Sequence, residues 1–526
     1  MPQSSLIGIV LACTAVVGAC SKNSTPAAPP DTSKQQWPAC DASAATQPIT
    51  FVHTNDLHGN YELVGNPPVS AYAAVKAFYK RTKAENPFTL LTSGGDDYEK
   101  GSIAEQLSNG LSTREILHAM QFDVRVIGNH DYGWSVEEVL ENARDPFSAV
   151  LSSNIHYKGN DPKGFAAQDF VIKQVGCMKI GFFGLTSGPW DSRDSYVNGD
   201  FYPEFPTDLD YVAVAQKIVT AHRGEVDLMV LVSHIGEGSD NDVAKAVPGI
   251  DVVLGGHSHT ALFTPDWVPH GDSGTVIIQA GSFATYVSRL DLSYDLKTKK
   301  LIDPQHAPYA LNLIVPGDDA MPPDPELEAT IEATMTKYAP NAGKPAVQVK
   351  SSQAQTSIGF IAARGAMKRF QADAALVDIG TIWQSWGPGP LTQQDFLNTF
   401  RVEREPPGSP GFNSFYTASI KGASLQNLKA AHPSGGTDGW VLVAPDNIDA
   451  SAIYKLAIQK RPALNAHAEA ATAQNPEPPA GYLPDNVTIG TPTFGAEAWE
   501  ALQAEATARQ AACRYIDSDE KVPSCD

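Results

Sequence analysis

Residues 49–59 read Ile-Thr-Phe-Val-His-Thr-Asn-Asp-Leu-His-Gly, an apolar run that ends in a polar cluster. The run Ile49–Val52 predicts a buried β-strand. Asp56 and His58 follow it two residues apart, a spacing that puts both side chains on one face of an extended segment. In open α/β sheets, binding sites form beyond the carboxyl ends of the strands. The stretch therefore predicts a strand that brings two potential metal ligands to the edge of a sheet.

The same arrangement recurs further along the chain. The later apolar runs and the polar clusters that follow them are Phe88–Thr92 with Gly94-Gly95-Asp96, Val124–Ile127 with Gly128-Asn129-His130-Asp131, Leu228–Val232 with His234, and Val252–Leu254 with Gly255-Gly256-His257-Ser258-His259. Helical patterns lie between the runs, for example at Ser70–Lys83 and Thr113–Met120. Strands that alternate with helices predict a layered α/β architecture. The clusters converge in space if their strands are neighbours.

The residue types in these clusters fit divalent metal ions. Asp, Asn and His offer oxygen and imidazole nitrogen without thiolate, which suits Zn, Mn, Fe or Co. His53, on the predicted strand itself, is interpreted as structural. Asp97 and Glu99, next to the Gly-Gly-Asp cluster, are interpreted as solvated carboxylates.

The order Asp-x-His, Gly-Asp, Gly-Asn-His, His, Gly-His-x-His resembles that of the calcineurin-type metallophosphoesterases. Within that superfamily, Thr54–Gly59 and Gly255–His259, followed by a second domain, resemble the secreted bifunctional metallophosphatase/5′-nucleotidase family. The resemblance covers residues 49 to 310 well and the remainder poorly. It implies a layered α/β-β/α sandwich with a second, smaller α/β C-terminal domain joined by a linker helix.

The resemblance also implies roles for individual residues. One metal ion would be bound by Asp56, His58 and His259, the other by Asn129, His234 and His257, and Asp96 would bridge the two. His130 would stabilise charge on the phosphate, and Asp131 would either orient His130 or be only structural. Family members often place the orienting Asp three residues after the His, where this chain has Gly133. The implied reaction is hydrolysis of a phosphate monoester by a metal-bound hydroxide.

The C-terminal part departs from the family pattern. Trp383 stands where the family has a phosphate-binding Arg, and the Phe-Gly-Asn segment survives only as Gly411-Phe412-Asn413. Trp383, Phe412 and Asn413 are the predicted substrate contacts, although such aromatics also serve as core residues. Further candidates for binding phosphate are Arg364, Arg401 and Arg404.

Composition and segment changes divide the 526-residue chain. The predicted segments are a signal peptide (1–20), a flexible tether (21–48), the metallophosphoesterase catalytic domain (49–315), a linker with helix Pro325–Tyr338 (316–346) and a 5′-nucleotidase-like substrate-specificity domain (347–526). Lys and Arg number 38 against 59 Asp and Glu, a formal charge of −21. That balance argues against a nucleic-acid polymer as partner.

The N-terminus resembles a bacterial lipoprotein signal, because an apolar run precedes Val17-Gly18-Ala19-Cys20. Cys20 would carry the lipid and anchor the protein in the cell envelope, facing the periplasm or on the outer membrane. The usual Lys or Arg before the apolar run is absent, and an ordinary cleaved signal is the alternative. Cys40, Cys177, Cys513 and Cys525 remain, with three possible pairings. Cys513 with Cys525 is favoured, which leaves Cys40 with Cys177; free buried thiols, Cys177 among them, are the alternative.

The leading hypothesis is an exported two-metal phosphohydrolase of the 5′-nucleotidase type that acts on a nucleotide or related organic phosphate. A second hypothesis is a hydrolase of the same superfamily that cleaves another ester: a phosphodiester, a nucleotide-sugar diphosphate or a thiosulfate-type ester. A third, non-catalytic hypothesis is a surface lipoprotein that keeps the metal domain for stability and binds a ligand or partner through the altered second domain. The full set of ligands argues against the third.

Overall fold

A computed structural model of the chain describes residues 37–64, 69–99, 101–188, 204–315, 322–402, 413–432, 439–460, 463, 483–484 and 486–523. The predictions for the signal peptide, for Cys20 and most of the tether, and for Arg404, Phe412 and Cys525 lie outside these residues. None of the described helices combines the length and the apolarity that a bilayer crossing needs.

The N-terminal part contains strands that form two main sheets. The strands are β1 Thr46–Thr54, β2 Leu63–Val64, β3 Val69–Ser70, β4 Thr89–Ser93, β5 Val124–Val126, β6 Ala149–Leu151, β7 Phe170–Val175, β8 Met178–Thr186, β9 Leu228–His234, β10 Val252–Leu254, β11 Asp266–His270, β12 Ser273–Ile278, β13 Tyr286–Asp295, β14 Lys300–Leu301 and β15 Tyr309–Leu313. The first sheet has the order β14-β13-β1-β4-β5-β6, with β15 beside β13, and the second has the order β11-β12-β10-β9-β8-β7. Strands β1, β4, β5 and β6 are parallel, as are β8, β9, β10 and β12.

The two sheets pack face to face, and helices cover their outer faces. The helices of this part are α1 Ala71–Glu85, α2 Ile103–Ser108, α3 Leu111–Met120, α4 Val136–Ala143, α5 Tyr211–His222, α6 Glu237–Ala246 and α7 Pro325–Tyr338. On β1, Phe51 points into the core between the sheets, while Val52 packs on the helical side. Because both faces are covered, every residue of β1 from Ile49 to Thr54 is buried, instead of every second one. The predicted layered α/β fold is confirmed.

The C-terminal part forms its own sheet. Its strands are β16 Val347–Val349, β17 Ala374–Asp378, β18 Gly389–Leu391, β19 Phe415–Lys421, β20 Trp440–Val443, β21 Ile453–Gln459 and β22 Thr493–Ala496, and its helices are α8 Gln355–Phe370, α9 Gln393–Thr399, α10 Gly422–Ala431 and α11 Ala498–Ala511. Five strands pair in the order β20-β17-β21-β19-β22. Helices α8 and α11 pack on each other. Their buried side chains continue the cluster that covers the outer face of the first N-terminal sheet.

The segment between the two parts contains α7, whose bounds are those predicted for the linker helix. Asp324 caps its first turn and forms an ion pair with Lys80 on α1 at 2.5 Å. Helix α9 contacts the N-terminal part directly: the Gln394 side chain accepts a hydrogen bond from the Ile103 amide and donates one to the Gly101 carbonyl. The C-terminal part therefore lies against the loop that leads into α2.

A disulfide joins Cys40 and Cys177, with the two Cα atoms 4.4 Å apart. Cys40 precedes β1 of the first sheet, and Cys177 lies in the turn between β7 and β8 of the second. The favoured pairing of these two cysteines is confirmed. Cys513 has no disulfide partner among the described residues; its predicted partner, Cys525, is not one of them.

Candidate metal centre

The polar clusters meet at one end of the sandwich. Asp56 and His58 follow β1, Asp96 follows β4 and Asn129 follows β5, all in the first sheet. His234 ends β9, and His257 and His259 follow β10, in the second sheet. These are carboxyl ends of parallel strands, which share one edge of each sheet. The structure therefore brings all seven predicted ligands together from two sheets.

One half of the cluster contains Asp56, His58 and His259, whose potential ligand atoms lie within 4.8 Å of one another. The Nε2 atoms of His58 and His259 face each other at 3.1 Å, and Asp56 Oδ1 lies 3.3 Å from His259 Nε2. Asp56 Oδ1 is buried and has no hydrogen-bond partner. A buried acceptor without a donor is costly unless a cation meets it. These three residues fit a divalent metal ion.

The other half is arranged around the Asn129 side chain. Asn129 Oδ1 lies 3.1 Å from His234 Nε2 and 3.0 Å from His257 Nδ1. Asp96 stands between the halves, since its Oδ2 is 3.1 Å from His234 Nε2 and 3.8 Å from His58 Nε2. Oxygen and imidazole ligands around one shared carboxylate match the preferences of Zn, Mn, Fe or Co.

Further contacts fix the orientation of these side chains. His234 Nδ1 donates to the Gly94 carbonyl at 2.6 Å, which leaves Nε2 turned toward the cluster. Asp56 Oδ2 accepts from the Asn55 amide group at 2.6 Å and from the His257 backbone at 2.9 Å, so that Oδ1 faces the metal side. Such supporting contacts set ring tautomers and ligand basicity in metal sites.

The backbone at the cluster is strained. Five of the predicted ligands have positive φ: Asp56, His58, Asp96, His257 and His259. Left-handed conformations of residues other than glycine cost about 1–3 kcal/mol each and concentrate at functional sites. Glycine is required beside them, because a Cβ on Gly256 would lie 2.4 Å from the Gly94 carbonyl oxygen. The sharp turns allow two residues of one short loop to face the same point.

Electrostatics couple Asp96 to His234. Burial alone raises the pKa of the Asp96 carboxyl, but the positive charge of His234, followed by that of His130, brings this pKa well below its usual range. Burial alone lowers the pKa of His234, and the Asp96 carboxylate raises it to about 10. Without a metal the pair is an ion pair, so the proton on His234 must leave when a cation binds.

His130 lies at the rim of this cluster, with its ring centroid 5.1 Å from that of His58. Its backbone amide donates to Asp96 Oδ1 at 2.8 Å, and its Nδ1 lies 2.6 Å from Glu99 Oε2. Glu99 is fully buried, so the expectation that it is a solvated carboxylate is wrong.

The predicted contact between Asp131 and His130 is also wrong. The Asp131 carboxylate accepts instead from the backbone amides of Tyr98 and Gly128, at 3.1 and 2.7 Å. Burial raises the pKa of Asp131 to about 8. Because the residue directly after His130 turns inward, Asp131 fastens two ligand-bearing loops together.

Asp97 and His53 are both buried beside the cluster. Asp97, expected to be solvated, is buried and forms an ion pair with the buried Arg125 at 3.0 Å. His53 is buried between Thr92 Oγ1 and the Gly255 carbonyl, at 3.0 and 2.9 Å, and burial lowers its pKa to about 4. A neutral His53 that joins strands of the two sheets fits the structural role expected for it.

The C-terminal part brings two side chains toward the cluster. The Arg401 guanidinium lies over the Phe283 ring at 4.2 Å and over the Trp383 ring at 4.9 Å. The Phe283 ring in turn lies 5.0 Å from the His58 ring and 5.6 Å from the His259 ring. Trp383, a predicted substrate contact, is 55% exposed, so its ring is accessible to a ligand.

Other candidates among the described C-terminal residues contact the protein itself. Asn413, also predicted to contact substrate, is buried, and its side chain donates to the Arg401 carbonyl at 2.7 Å. It therefore supports the Arg401 segment. Arg364 lies 3.8 Å from the buried Glu505. Trp386, three residues after Trp383, is buried, and its Nε1 donates to Thr399 Oγ1 at 2.8 Å.

Comparison with known proteins agrees with this geometry. Residues 49–261 match the calcineurin-like phosphoesterase family model. The chain is 26% identical to human 5′-nucleotidase over 322 residues, 55% of this chain and 53% of that protein. It is 25% identical to a snake venom 5′-nucleotidase of Crotalus adamanteus over 288 residues, 49% and 47% of the two chains. The matches thus span about half the length of these relatives.

Solved structures resemble the chain over most of its length. A 5′-nucleotidase precursor from Thermus thermophilus aligns with a TM-score of 0.61 at 19% identity, covering 88% of this chain and 97% of that one. The sulfate thiohydrolase SoxB of the same organism aligns with a TM-score of 0.57 at 17% identity, covering 90% and 95%. At these identities the likeness establishes the fold, including the second domain. Residues 49–261 of this chain form a calcineurin-like phosphoesterase domain.

Proposed function

We propose that the chain is a phosphoric ester hydrolase that uses two divalent metal ions. The observation that carries the proposal is the position of Asp96 between two groups of ligands: Asp56, His58 and His259 on one side, and Asn129, His234 and His257 on the other. A carboxylate in that place is suited to bridging two ions. When bound, the ions would supply Lewis acidity and activate a water molecule.

The side chains of the protein perform the rest of the work. Phosphoryl transfer to water depends mostly on positioning and charge neutralisation, so no covalent protein nucleophile is needed. His130, beside His58, is placed to stabilise charge that develops on the phosphate. The left-handed turns hold the ligands in place before the substrate arrives, which lowers the cost of reorganisation during the reaction.

We propose a nucleotide or a related organic phosphate monoester as the substrate. The similarity to human and snake venom 5′-nucleotidases supports this class. Phe283 and Trp383 offer ring faces near the cluster, and the Arg401 guanidinium between them supplies positive charge. A base can stack on an exposed aromatic ring, and a phosphate can bind the guanidinium.

The export and lipid anchoring proposed for the chain rest on the sequence Val17-Gly18-Ala19-Cys20. The disulfide between Cys40 and Cys177 supports export, because such bonds persist in oxidising compartments. Metabolic labelling with a radioactive fatty acid in a bacterial host tests the anchor. Label in the wild type that is lost in Cys20→Ser supports it, and unlabelled wild-type protein rejects it.

The enzyme proposal is tested by assaying purified protein, loaded with manganese or zinc, against AMP, ATP, UDP-glucose, a cyclic nucleotide and a chromogenic phosphate. Metal content is measured on the same samples. Asp96→Asn should lose metal and activity, while the matched surface variant Asp303→Asn should keep both, since Asp303 is exposed and far from the cluster. Wild-type protein that holds two ions but cleaves no ester would favour a binding protein. Cleavage of diesters alone would favour a phosphodiesterase.

A further inference from the structure

The carboxylate beside His130 comes from another loop of the domain. Glu99 lies between β4 and α2, and its Oε2 is 2.6 Å from His130 Nδ1. The Glu99 side chain is fully buried, whereas that of His130 is 12% exposed. A carboxylate in this position accepts the Nδ1 proton and directs the opposite side of the ring, which carries Nε2, away from itself.

The Glu99 side chain lies close to position 133. A Cβ built on Gly133 would lie 3.0 Å from Glu99 Cγ and 3.4 Å from Glu99 Cβ. The Glu99 side chain therefore borders the space into which a side chain at position 133 would project, and it would have to shift by a few tenths of an ångström to admit one. Gly133 has φ −59°, an ordinary helical value, so its backbone does not itself require glycine.

A buried support holds Glu99 in its strained conformation. Glu99 has φ 66°, and its backbone amide donates to Glu105 Oε1 at 2.6 Å. The Glu105 carboxylate also accepts from Trp134 Nε1 and Thr113 Oγ1, each at 2.7 Å. Such a support is typical of side chains that must be placed within a fraction of an ångström.

We infer that Glu99 is the positioning residue for His130 and replaces, from a separate loop, a carboxylate that would otherwise be supplied from position 133. Glu99 fixes the His130 tautomer and stabilises the positive ring as charge develops on the phosphate. This inference rests on the proposed phosphoesterase function. It predicts that the position of the carboxylate is exchangeable between residues 99 and 133.

The test uses the full-length, metal-loaded protein in four forms besides the wild type: Glu99→Gln, Glu99→Ala, Glu99→Ala/Gly133→Asp and Glu99→Ala/Gly133→Ala. The last variant is the matched control, because it adds a side chain at position 133 without a carboxylate. We expect Glu99→Gln and Glu99→Ala to lower kcat by about a hundredfold or more, as disruption of other His–carboxylate pairs does. KM should stay within about threefold of the wild type and metal content should not change, since Glu99 is not among the residues proposed to hold the ions or the substrate.

The double variant Glu99→Ala/Gly133→Asp should recover at least about tenfold in kcat over Glu99→Ala, and the alanine control should recover nothing. Unchanged kcat in Glu99→Gln, or equal recovery in the two double variants, would overturn the inference. A merely structural Glu99 would lose metal or stability in all four variants alike.

A second readout does not depend on turnover. In zinc-loaded protein with ¹⁵N-labelled histidine, the His130 Nδ1–H proton should give a strongly downfield NMR signal. The signal should vanish in Glu99→Ala and return only when Gly133→Asp is added. If the wild type cleaves no ester, the proposed function fails, yet the NMR signal still decides whether Glu99 positions His130.

Discussion

Substituting Gly128 with alanine tests the close packing against Asp96 at the metal centre. A Cβ on Gly128 would lie 2.2 Å from Asp96 Oδ1 and 2.3 Å from the Asp96 backbone nitrogen. Carbon and oxygen atoms in comfortable contact are about 3.5 Å apart, so the atoms must separate by roughly 1.3 Å. Because a backbone atom is among those displaced, a change of side-chain rotamer cannot relieve the clash. The whole Asp96 turn must move.

The displaced residue is the one proposed to bridge both metal ions. We expect Gly128→Ala to weaken metal binding by about 10–100-fold, the range found when contacts that orient ligands are disturbed. Overpacking should also lower the free energy of unfolding of the metal-free protein by about 1–3 kcal/mol. Isothermal titration with Mn²⁺ measures the first quantity, and urea denaturation measures the second.

The matched control is Gly238→Ala. Gly238 lies in α6, and a Cβ there meets nothing within 4 Å. Alanine in a helix is favoured over glycine by about 0.5–1 kcal/mol, so the control should be slightly stabilised and bind metal normally. Wild-type metal affinity in Gly128→Ala would refute the argument that Gly128 is required for the position of Asp96.

Four further outcomes follow from the structure. Arg125→Ala should cost about 3–5 kcal/mol of unfolding free energy in urea, because it leaves the buried Asp97 and Asp145 unpaired; a loss below about 1 kcal/mol would contradict this. Reduction of the disulfide that Cys40 forms should cost up to about 5 kcal/mol, since the bond closes a loop with a separation of 137 residues; equal urea midpoints with and without reductant would contradict it. The pKa of His234 is raised to about 10, so metal binding should release a proton and should strengthen as pH rises from about 7 toward 10. Titration enthalpies that do not change with the ionisation enthalpy of the buffer would show that no proton leaves. Arg401→Met should raise KM for a nucleotide by about tenfold or more while metal content stays constant, and an unchanged KM would exclude Arg401 from the substrate site.

The sequence predicted the residues of the metal centre well because each of them lies at the end of a strand, where the sequence has a recognisable pattern. An apolar run followed by glycine and a ligand type marks a strand and the loop after it, and parallel strands bring such loops to one edge. Strand bounds moved by a few residues at most: the predicted run Ile49–Val52 is part of Thr46–Thr54, and Val252–Leu254 is unchanged. These features depend only on residues that are neighbours in the sequence, so they can be predicted from the sequence alone.

The contacts of His130 and Asp97 could not be read in that way. Glu99 is 31 residues from His130 in sequence, and Asp97 is 28 residues from Arg125. Their burial depends on how two loops and α4 pack together, which no local pattern encodes. One signal was available: glycine at position 133 leaves His130 without its expected carboxylate, and a search for another nearby acid would have found Glu99.

The Cys40–Cys177 disulfide joins the two sheets of the sandwich. It joins the amino-terminal ends of β1 and β8, one strand from each layer of the sandwich. The ligands of the metal cluster also come from both layers, but at the opposite, carboxyl ends of the strands. With the proposed ions bound, the two sheets would be held together at both ends of the sandwich, by a covalent bond that depends on redox conditions and by ions that a chelator removes. Ions that bind only the folded state stabilise it. The metal ions proposed to support catalysis would therefore also stabilise the contact between the two sheets, at the end opposite the disulfide.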